Sequence, residues 1–365
     1  MPRPSVALLY GTRPQVVKAA ALLDALTDVA DVCAIDTGQH YDHALNGLLY
    51  AQLGVRAPDV FLDVGSADHA TQTAAVMTRA AAAFAERRLD AVVVIGDTNS
   101  TLGGALAAAK LRLPVVHVEA GLRSDDLGMA EEINRRAVDA ISTVLCAPST
   151  AAAARLRCEG ATGLVTCTGD VARDVLLRAE RRAPAVAEIA GWPLTATAAY
   201  AFATLHRAEL VDDARTLAHV VSALGALGLP VVLAAHPRTR GALDRLAVAA
   251  RGALHVIPAL GYLETVAAIR TAAVVVTDSG GVQREAYWLG VPCVTMRTAT
   301  EWTETVACGA NRLVAPLDAA SALAAAVAAQ ASAARHWARD AYGDGDAAAR
   351  VARAIATWQH GHIAA

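Results

Sequence analysis

The chain has 365 residues, and at roughly 150 residues per domain this length predicts two domains, each with its own buried core. Hydrophobic residues make up 55% of the chain but aromatic residues only 4%, so the cores must consist largely of alanine, valine and leucine, which suits helices packed on parallel sheets. The formal net charge of −3 gives no general attraction to nucleic acid or an anionic membrane, so we expect neither as a partner, and any bound phosphate requires a local site.

Six cysteines are scattered along the chain, with no CxxC pair and no Cys/His group at metal-binding spacing. They are therefore predicted to be reduced, as in a cytoplasmic protein, and no metal site is expected. The N-terminal stretch MPRPSVALLYGTRP has too short an apolar run for a signal peptide. No segment reaches the roughly 18 uninterrupted apolar residues that a membrane span needs, so we expect no membrane anchor.

Short β-branched runs alternate with longer stretches rich in alanine and leucine. Before residue 170 the runs are VALLY, DVCAID, AVVVIGD, VVHVEA, VLCAPS and LVTCTGD. After residue 198 they are AYAFATLH, PVVLAAH, LHVIPA, AAVVVTD, PCVTMR and NRLVAP. This alternation predicts an α/β fold in which crossover helices join parallel strands, in two similar halves.

The expected domain boundaries follow from breaks in this pattern. Residues 1–180 form the predicted N-terminal domain, and residues 198–335 the C-terminal one. Between them, residues 181–197 carry two prolines and little periodicity, which predicts a hinge. Residues 336–365 are helical in pattern with no strand to follow, and we expect them to return to the first domain.

Polar residues cluster just after the predicted strands. In open α/β sheets this carboxyl edge is where ligands bind, so two such edges facing each other across a hinge predict a binding cleft. The clusters are Gly11–Arg13, Gly38–His40, Gly96–Thr98, Glu119–Gly121, Thr204–Arg207, His236–Arg238 and Asp278–Gly281.

The sequence TDSGGVQRE suggests an anion site where a strand becomes a helix. Ser279 can cap the helix, while Gly280 and Gly281 would let a ligand approach backbone amides at the positive end of the helix dipole. A simple tight turn is the alternative for this motif alone. Glu285, one turn further, could accept hydrogen bonds from a ribose, or it could be a solvated helix residue.

The first half supplies cations and carboxylates. No GxGxxG motif follows an early strand, but Arg13 and Lys18 stand at the start of the first crossover helix as phosphate partners or surface charges. Asp97 and Glu119 come at the ends of two central strands. Burial there could raise their pKa values and make them acids or bases near neutrality, although purely structural roles are equally compatible with the pattern.

Two further segments carry candidate groups. Glu131 lies in the first turn of a helix, where its negative charge could simply interact favourably with the helix dipole. Alternatively, Arg135, one turn further on, could hold the Glu131 carboxylate in place at the site. His206 and Arg207 follow the first strand of the second half. A lone histidine is more often structural, but across a cleft from several carboxylates His206 becomes a candidate acid or phosphate partner.

The segments GTRPQVVKAA, TGQHYD, GDTNSTLGGALAAAK, HVEAGLRS, AEEINRR, TLHRAE, HPRTR and TDSGGVQREAYWLGVPCVTMRTATEW together resemble the non-hydrolysing UDP-N-acetylglucosamine 2-epimerase family, in order, from about Ala7 to Val314. The resemblance implies two Rossmann-like domains in a glycosyltransferase-B (GT-B) arrangement, with the active site in the cleft between them. It also implies no nicotinamide, metal or other cofactor, and because the family is often dimeric we expect a homodimer.

The family reaction inverts C2 of a UDP-2-acetamido sugar by eliminating UDP to a 2-acetamidoglucal and adding it back. By this resemblance Asp97, Glu119 and Glu131 are the acid/base carboxylates and His206 the catalytic histidine. The implied substrate and UDP contacts are Arg13, Lys18, Arg135, Arg207, His236, Ser279, Gly280, Gly281, Glu285 and Arg297.

Several alternatives remain beside UDP-N-acetylglucosamine epimerisation. The GTRPQ and GQHYD segments are also similar to relatives that act on UDP-2,3-diacetamido-2,3-dideoxyglucuronate. A hydrolysing relative would release N-acetylmannosamine and UDP. A GT-B glycosyltransferase would leave the three carboxylates without an evident task, and a non-catalytic UDP-sugar sensor would not need them.

Overall fold

The computed structural model describes residues 3–39, 43–246, 253–332 and 335–363. The chain divides into two compact units. Unit 1 comprises Met1–Arg178 with Ala341–Ala365, and unit 2 comprises Ala179–Asp340. Across the described ranges, no helix is long and apolar enough to cross a membrane.

Unit 1 is built around strands that alternate with helices along the chain. Its strands are β1 (Ser5–Tyr10), β2 (Asp31–Asp36), β3 (Val60–Phe61), β4 (Ala91–Ile95), β5 (Val115–Val118), β6 (Val144–Ala147) and β7 (Leu164–Cys167). Its helices are α1 (Arg13–Thr27), α2 (His43–Leu53), α3 (His69–Ala85), α4 (Asn99–Lys110), α5 (Ala130–Ile141), α6 (Thr150–Cys158), α7 (Val171–Glu180, whose last residues belong to unit 2) and the C-terminal α15 (Ala347–Ile363).

Unit 2 repeats this alternation. Its strands are β8 (Ala201–Thr204), β9 (Val231–Ala235), β10 (Leu254–Pro258), β11 (Val274–Thr277), β12 (Cys293–Thr295) and β13 (Asn311–Leu313). Its helices are α8 (Ala208–Val211), α9 (Ala214–Gly225), α10 (Pro237–Arg245), α11 (Tyr262–Thr271), α12 (Gly280–Leu289), α13 (Thr303–Ala307) and α14 (Ala324–Ser332).

Both sheets are doubly wound. In the described residues the unit 1 sheet has the order β3-β2-β1-β4-β5-β6-β7 and the unit 2 sheet the order β10-β9-β8-β11-β12-β13, with parallel pairing throughout. The predicted α/β fold is thus confirmed. Strand order reverses between β1 and β4 in unit 1 and between β8 and β11 in unit 2, and such switch points are where doubly wound sheets bind ligands.

The strands that flank the switch points are buried on both faces. All five residues of β4 are completely buried, as are Val274, Val275 and Val276 of β11. Parallel strands covered by helices on both faces read as continuous apolar runs, and this explains why AVVVI and VVV identified the central strands. The carboxyl ends of these strands are therefore supported by fully buried cores.

The segment 181–197, which was predicted to be a hinge, is packed as part of unit 2. Val186 and Ile189 are buried in one cluster with Phe202 of β8. The rings of Trp192 and Tyr200 meet edge to face, with centroids 5.2 Å apart. The segment is thus anchored by a few apolar side chains, two of which stand at a single 3-10 helical turn, Val186–Glu188.

The C-terminal segment contributes to unit 1 from Ala341 onward. The backbone amides of Ala347 and Ala348, at the start of α15, donate to the Asp174 carboxylate of α7 at 3.1 and 2.8 Å. Residues 336–340, which were expected to belong to this returning segment, are part of unit 2 instead.

Candidate functional site

The site residues predicted from the sequence lie along the carboxyl edges of the two sheets, close to the switch points. His40, from the cluster that follows β2, lies outside the described residues. The unit 1 residues are Arg13, Lys18, Asp97, Glu119, Glu131 and Arg135. The unit 2 residues are His206, Arg207, His236, Ser279, Gly280, Gly281, Glu285 and Arg297.

Gln15 ties together the two strands at the unit 1 switch point. Its Oε1 accepts hydrogen bonds from the backbone amides of Gly11 and Thr12, and its Nε2 donates to the carbonyl of Ile95 at 2.7 Å. The side chain is 1% exposed, so it also satisfies polar groups that water does not reach. The ends of β1 and β4 are consequently fixed to each other.

Asp97 follows β4 and is held by two residues of α5. Arg135 Nη1 lies 2.6 Å from Asp97 Oδ2, and Asn134 Nδ2 donates to the Asp97 carbonyl at 2.8 Å. Arg135 is 2% exposed and also donates to Glu132 Oε2 and Ser124 Oγ, both at 3.1 Å. The Asp97 carboxylate keeps 31% of its side-chain surface exposed, so it is oriented by a buried cation yet open to a ligand.

Glu119 follows β5 with a strained backbone. Its φ is +71°, in the left-handed region that residues other than glycine rarely occupy, and strain of this kind collects at functional sites. Its carboxylate forms an ion pair with Lys18 Nζ of α1, and the two side chains are 5% and 8% exposed. Lys18 was predicted as a phosphate contact, and the structure pairs it with a carboxylate.

Glu131 and Glu132 have opposite surroundings. Glu132 is fully buried and accepts hydrogen bonds from the Ser124 amide at 2.8 Å and from Arg135 and Arg136. Burial raises its pKa, but these donors outweigh that effect and the net pKa is lowered. Glu131 is half-buried, with no hydrogen-bond or ion-pair partner among the residues described. The prediction that Arg135 holds Glu131 was wrong, because Arg135 lies against Asp97 and Glu132.

Asp278 organises the unit 2 switch point. Its Oδ2 accepts hydrogen bonds from the backbone amides of His206 and Arg207, both at 2.8 Å, and its Oδ1 lies 3.2 Å from His206 Nδ1. Burial alone would raise the pKa of Asp278, but the bonds from His206 and the two amides lower it overall. His206 remains 45% exposed, with its Nε2 unpartnered by any described residue.

The SGG motif forms the start of α12. Ser279 caps the helix as predicted, because its Oγ accepts a hydrogen bond from the Val282 amide. An added Cβ at Gly280 would come within 2.9 Å of Glu301 Oε1, whereas at Gly281 the nearest atom would be Ser279 Oγ at 3.7 Å. The helix start at Gly281 thus has room beside its backbone for a ligand, where amides and dipole favour an anion.

Arg297 and Glu301 form a buried pair beside this helix start. Arg297 Nη2 lies 3.0 Å from Glu301 Oε2, and the side chains are 7% and 9% exposed. Arg297 Nη1 is buried with no hydrogen-bond partner among the described residues, so it has a donor available for a ligand. Asp278 was named only as part of the cluster after β11, with no role of its own, and Glu301 was not predicted as a site residue although it stands in the quoted segment TATEW.

His236 and Glu285 complete the unit 2 edge. His236 follows β9 and caps α10, with its Nδ1 accepting from the Arg238 amide at 3.4 Å. That acceptor role assigns the proton of a neutral ring to Nε2. Glu285 lies on α12 one turn after Gly281 and is 9% exposed.

The described side chains at both edges do not form a metal site. Among the residues that the structure describes, no group of three or more His, Cys, Asp and Glu side chains could hold a metal ion. The chemistry of both edges is that of carboxylates, cations and backbone amides.

Comparisons with known proteins identify the family of this chain. The sequence model of the family described as UDP-N-acetylglucosamine 2-epimerase matches residues 25–356. The UDP-2,3-diacetamido-2,3-dideoxy-D-glucuronate 2-epimerase of Pseudomonas aeruginosa is 40% identical over 314 residues, which cover 84% of this chain and 87% of the relative. The UDP-N-acetylglucosamine 2-epimerase of Methanocaldococcus jannaschii is 34% identical over 362 residues, 96% of this chain and 98% of that protein.

A solved structure shows the same fold. The crystal structure of the Methanocaldococcus jannaschii UDP-GlcNAc 2-epimerase in complex with UDP-GlcNAc and UDP aligns with a TM-score of 0.89 at 33% identity. The alignment covers 97% of this chain and 99% of that one. Two doubly wound units of this kind are the components of the GT-B fold, so the expected fold class is confirmed. The chain is an epimerase and belongs to the UDP-N-acetylglucosamine 2-epimerase family.

Proposed function

We propose that this protein reversibly inverts C2 of a UDP-2-acetamido sugar, most directly UDP-N-acetylglucosamine to UDP-N-acetylmannosamine. The observation that carries the proposal is the pairing of Asp97 with Arg135 and of Glu119 with Lys18 at adjacent strand ends. Two carboxylates so close to a switch point, each fixed by a buried cation, suit proton transfer at a carbon atom. A structural role alone would not account for the open face of Asp97 or the strain at Glu119.

The proposed reaction needs no external oxidant or reductant. A carboxylate takes the C2 proton while the C1–O bond breaks, and UDP leaves with the bonding electrons to give 2-acetamidoglucal. The reverse addition forms the C1–O bond again and delivers a proton to the other face of C2. In this scheme Asp97, Glu119 and Glu131 exchange the protons. Arg135 and Lys18 act as positioning residues, because each is buried and engaged with a carboxylate.

His206 is proposed as the catalytic histidine of unit 2. Pairing of its Nδ1 with Asp278 fixes the ring and directs Nε2 to the substrate, as carboxylates do for functional histidines elsewhere. An imidazole oriented in this way can donate to the departing phosphate oxygen.

The UDP portion is proposed to bind at the start of α12. Amides at Gly280 and Gly281 and the Ser279 hydroxyl suit the diphosphate, and the unpartnered Nη1 of Arg297 adds a cation. Glu285, one turn along, would accept hydrogen bonds from the ribose hydroxyls. The remaining proposed contacts are Arg13, Arg207 and His236.

A second substrate, UDP-2,3-diacetamido-2,3-dideoxyglucuronate, is favoured by the relative that is 40% identical. The test is to incubate the purified protein with each UDP-sugar and separate the products by anion-exchange chromatography. The proposal predicts a UDP-linked C2 epimer from at least one of them. Free 2-acetamido sugar with an equal amount of UDP would indicate hydrolysis, and binding without product would indicate a sensor.

We further infer a homodimer that works in the cytoplasm. The six cysteines are all unpaired, which is typical of a reducing compartment, and the dimer is inferred from the resemblance to the family. Sedimentation equilibrium of the full chain tests the dimer directly, because a monomer mass would contradict it.

A further inference from the structure

We propose that His117 is a positioning residue for the epimerisation, because its buried ring fixes the backbone on which Asp97 and Glu119 stand. This inference rests on the proposed function. His117 lies on β5, two residues before Glu119, and is completely buried. Because no part of the side chain is exposed, it cannot touch the substrate and must act through other residues.

The His117 ring joins β5 to the end of β4. Its Nε2 lies 2.8 Å from the carbonyl oxygen of Gly96, the residue directly before Asp97. Gly96 has a φ of +66°, a turn that takes its carbonyl out of the ordinary strand direction. With Asn134 on the Asp97 carbonyl, side chains hold the peptide groups both before and after this carboxylate residue.

The second ring nitrogen reaches α5. His117 Nδ1 lies 2.7 Å from Asp139 Oδ1, and Asp139 Oδ2 accepts from the Gly121 amide at 3.1 Å and from Arg123 Nη1 at 2.7 Å. Gly121 is two residues after Glu119. A single His–Asp pair therefore links the end of β4, the loop after β5 and the helix that carries Glu131.

Both ring nitrogens face acceptors, so both contacts are satisfied only when the ring carries two protons. Burial raises the pKa of Asp139, but His117 and Arg123 outweigh it and the net pKa is lowered, which keeps the carboxylate ionised. Arg123 also pairs with Glu159 at 2.6 Å. Arg123 thus connects the buried Asp139 to Glu159, whose side chain is 36% exposed.

Two substitutions separate the two contacts. A glutamine amide nitrogen stands near the Nε2 position of histidine, and an asparagine amide nitrogen near the Nδ1 position. His117→Gln therefore keeps the donor to Gly96, whereas His117→Asn keeps the donor to Asp139 and loses Gly96. We expect His117→Asn to lower kcat by ~100-fold and His117→Gln by clearly less, because small displacements of catalytic groups have effects of this size.

The readout distinguishes positioning from a general structural role. UDP affinity is measured by calorimetry, and because the proposed UDP contacts that involve α12 lie in unit 2, it is expected to stay at the wild-type value. Thermal unfolding shows whether each variant is folded. His219→Asn, at an exposed position of α9, is the matched control and should behave as wild type. Should His117→Asn not fold, Asp139→Asn, which of the two ring contacts weakens only the one at Nδ1, is expected to show the smaller loss of kcat expected for His117→Gln, and a loss of ~100-fold in Asp139→Asn would overturn the role assigned to the Gly96 contact.

The outcomes are separable. If His117→Asn and His117→Gln both fold and both have the kcat of the wild-type protein, the positioning role is overturned and the proposed function stays intact. A kcat loss matched by an equal loss of UDP affinity also overturns it. No turnover by the wild-type protein on any UDP-2-acetamido sugar overturns both proposals together.

Discussion

Arg135 bridges Asp97 and Glu132, with one guanidinium nitrogen 2.6 Å from Asp97 Oδ2 and another 3.0 Å from Glu132 Oε2. Glu132 is fully buried and Asp97 is partly open, so one cation both neutralises a buried charge and aims a candidate catalytic group. The fold and the chemistry of unit 1 therefore depend on the same side chain.

Replacement of Arg135 should affect stability and catalysis together. Arg135→Met removes a cation next to the buried carboxylate of Glu132. Because a buried charge without its partner is destabilising, the free energy of unfolding should fall by about 3–5 kcal/mol. Arg135→Lys keeps the charge but not the forked geometry, and should unfold closer to wild type while still losing turnover. Urea unfolding at pH 7 measures the difference. Equal stability of Arg135→Met and wild type would contradict the bridging role.

Asp97→Asn and Glu131→Gln are expected to share a catalytic defect but differ in stability. Loss of an acid/base group should lower kcat by ~10²–10⁴-fold in either variant, with UDP affinity retained. Asp97→Asn also removes the anion paired with Arg135 and should lower the melting temperature, whereas Glu131 has no ion-pair partner among the described residues and its variant should melt as wild type. Wild-type turnover in both variants would remove these residues from the mechanism.

The two glycines at the start of α12 make a matched pair. Gly281→Ala meets no close atom in the protein and should leave the melting temperature unchanged, yet reduce UDP affinity by about tenfold or more if a ligand contact worth ~1.5–3 kcal/mol is lost. Gly280→Ala would bring a Cβ within 2.9 Å of Glu301 Oε1, so it should lower both affinity and stability. Titration calorimetry and thermal unfolding give the two quantities. Unchanged UDP affinity in Gly281→Ala would argue against diphosphate binding here.

Asp278 should make stability depend on pH in acid. Its pKa is lower in the folded protein than the ordinary 3.8, so its contribution is complete above that value and is lost as the pH falls through the folded-state pKa. The stability difference between wild type and Asp278→Asn should thus shrink as the pH falls below about 4. Urea unfolding at several pH values measures it, and a difference that grows in acid would reverse the assigned sign.

Much of the fold could be predicted because the central strands leave an unmistakable pattern. The apolar runs around β4 and β11 are continuous since helices cover both faces, and Ser279 followed by two glycines marks a cap wherever a strand precedes a helix. The packing of segment 181–197 on unit 2 could not be predicted, because its ordered part is a single short helical turn with the buried residues Val186 and Ile189, too short to leave a periodic pattern.

The partners of the charged groups could not be predicted in the same way. Lys18 and Glu119 are 101 positions apart, and helix spacing alone suggested Glu131 for Arg135, whereas tertiary packing brings Asp97 and Glu132 to it. Sequence spacing reports neighbours within one helix, but contacts between elements depend on the sheet order, which becomes known only from the structure.

The central claim is proton exchange at C2, and proton NMR of the wild-type protein with UDP-N-acetylglucosamine or UDP-2,3-diacetamido-2,3-dideoxyglucuronate in D₂O tests it most directly. We expect one of these sugars to give its UDP-linked C2 epimer with deuterium at C2 and little free UDP. We also expect Asp97→Asn to slow this exchange by ~100-fold or more. An epimer that retains its original C2 proton, or a wild-type rate in Asp97→Asn, would contradict the account.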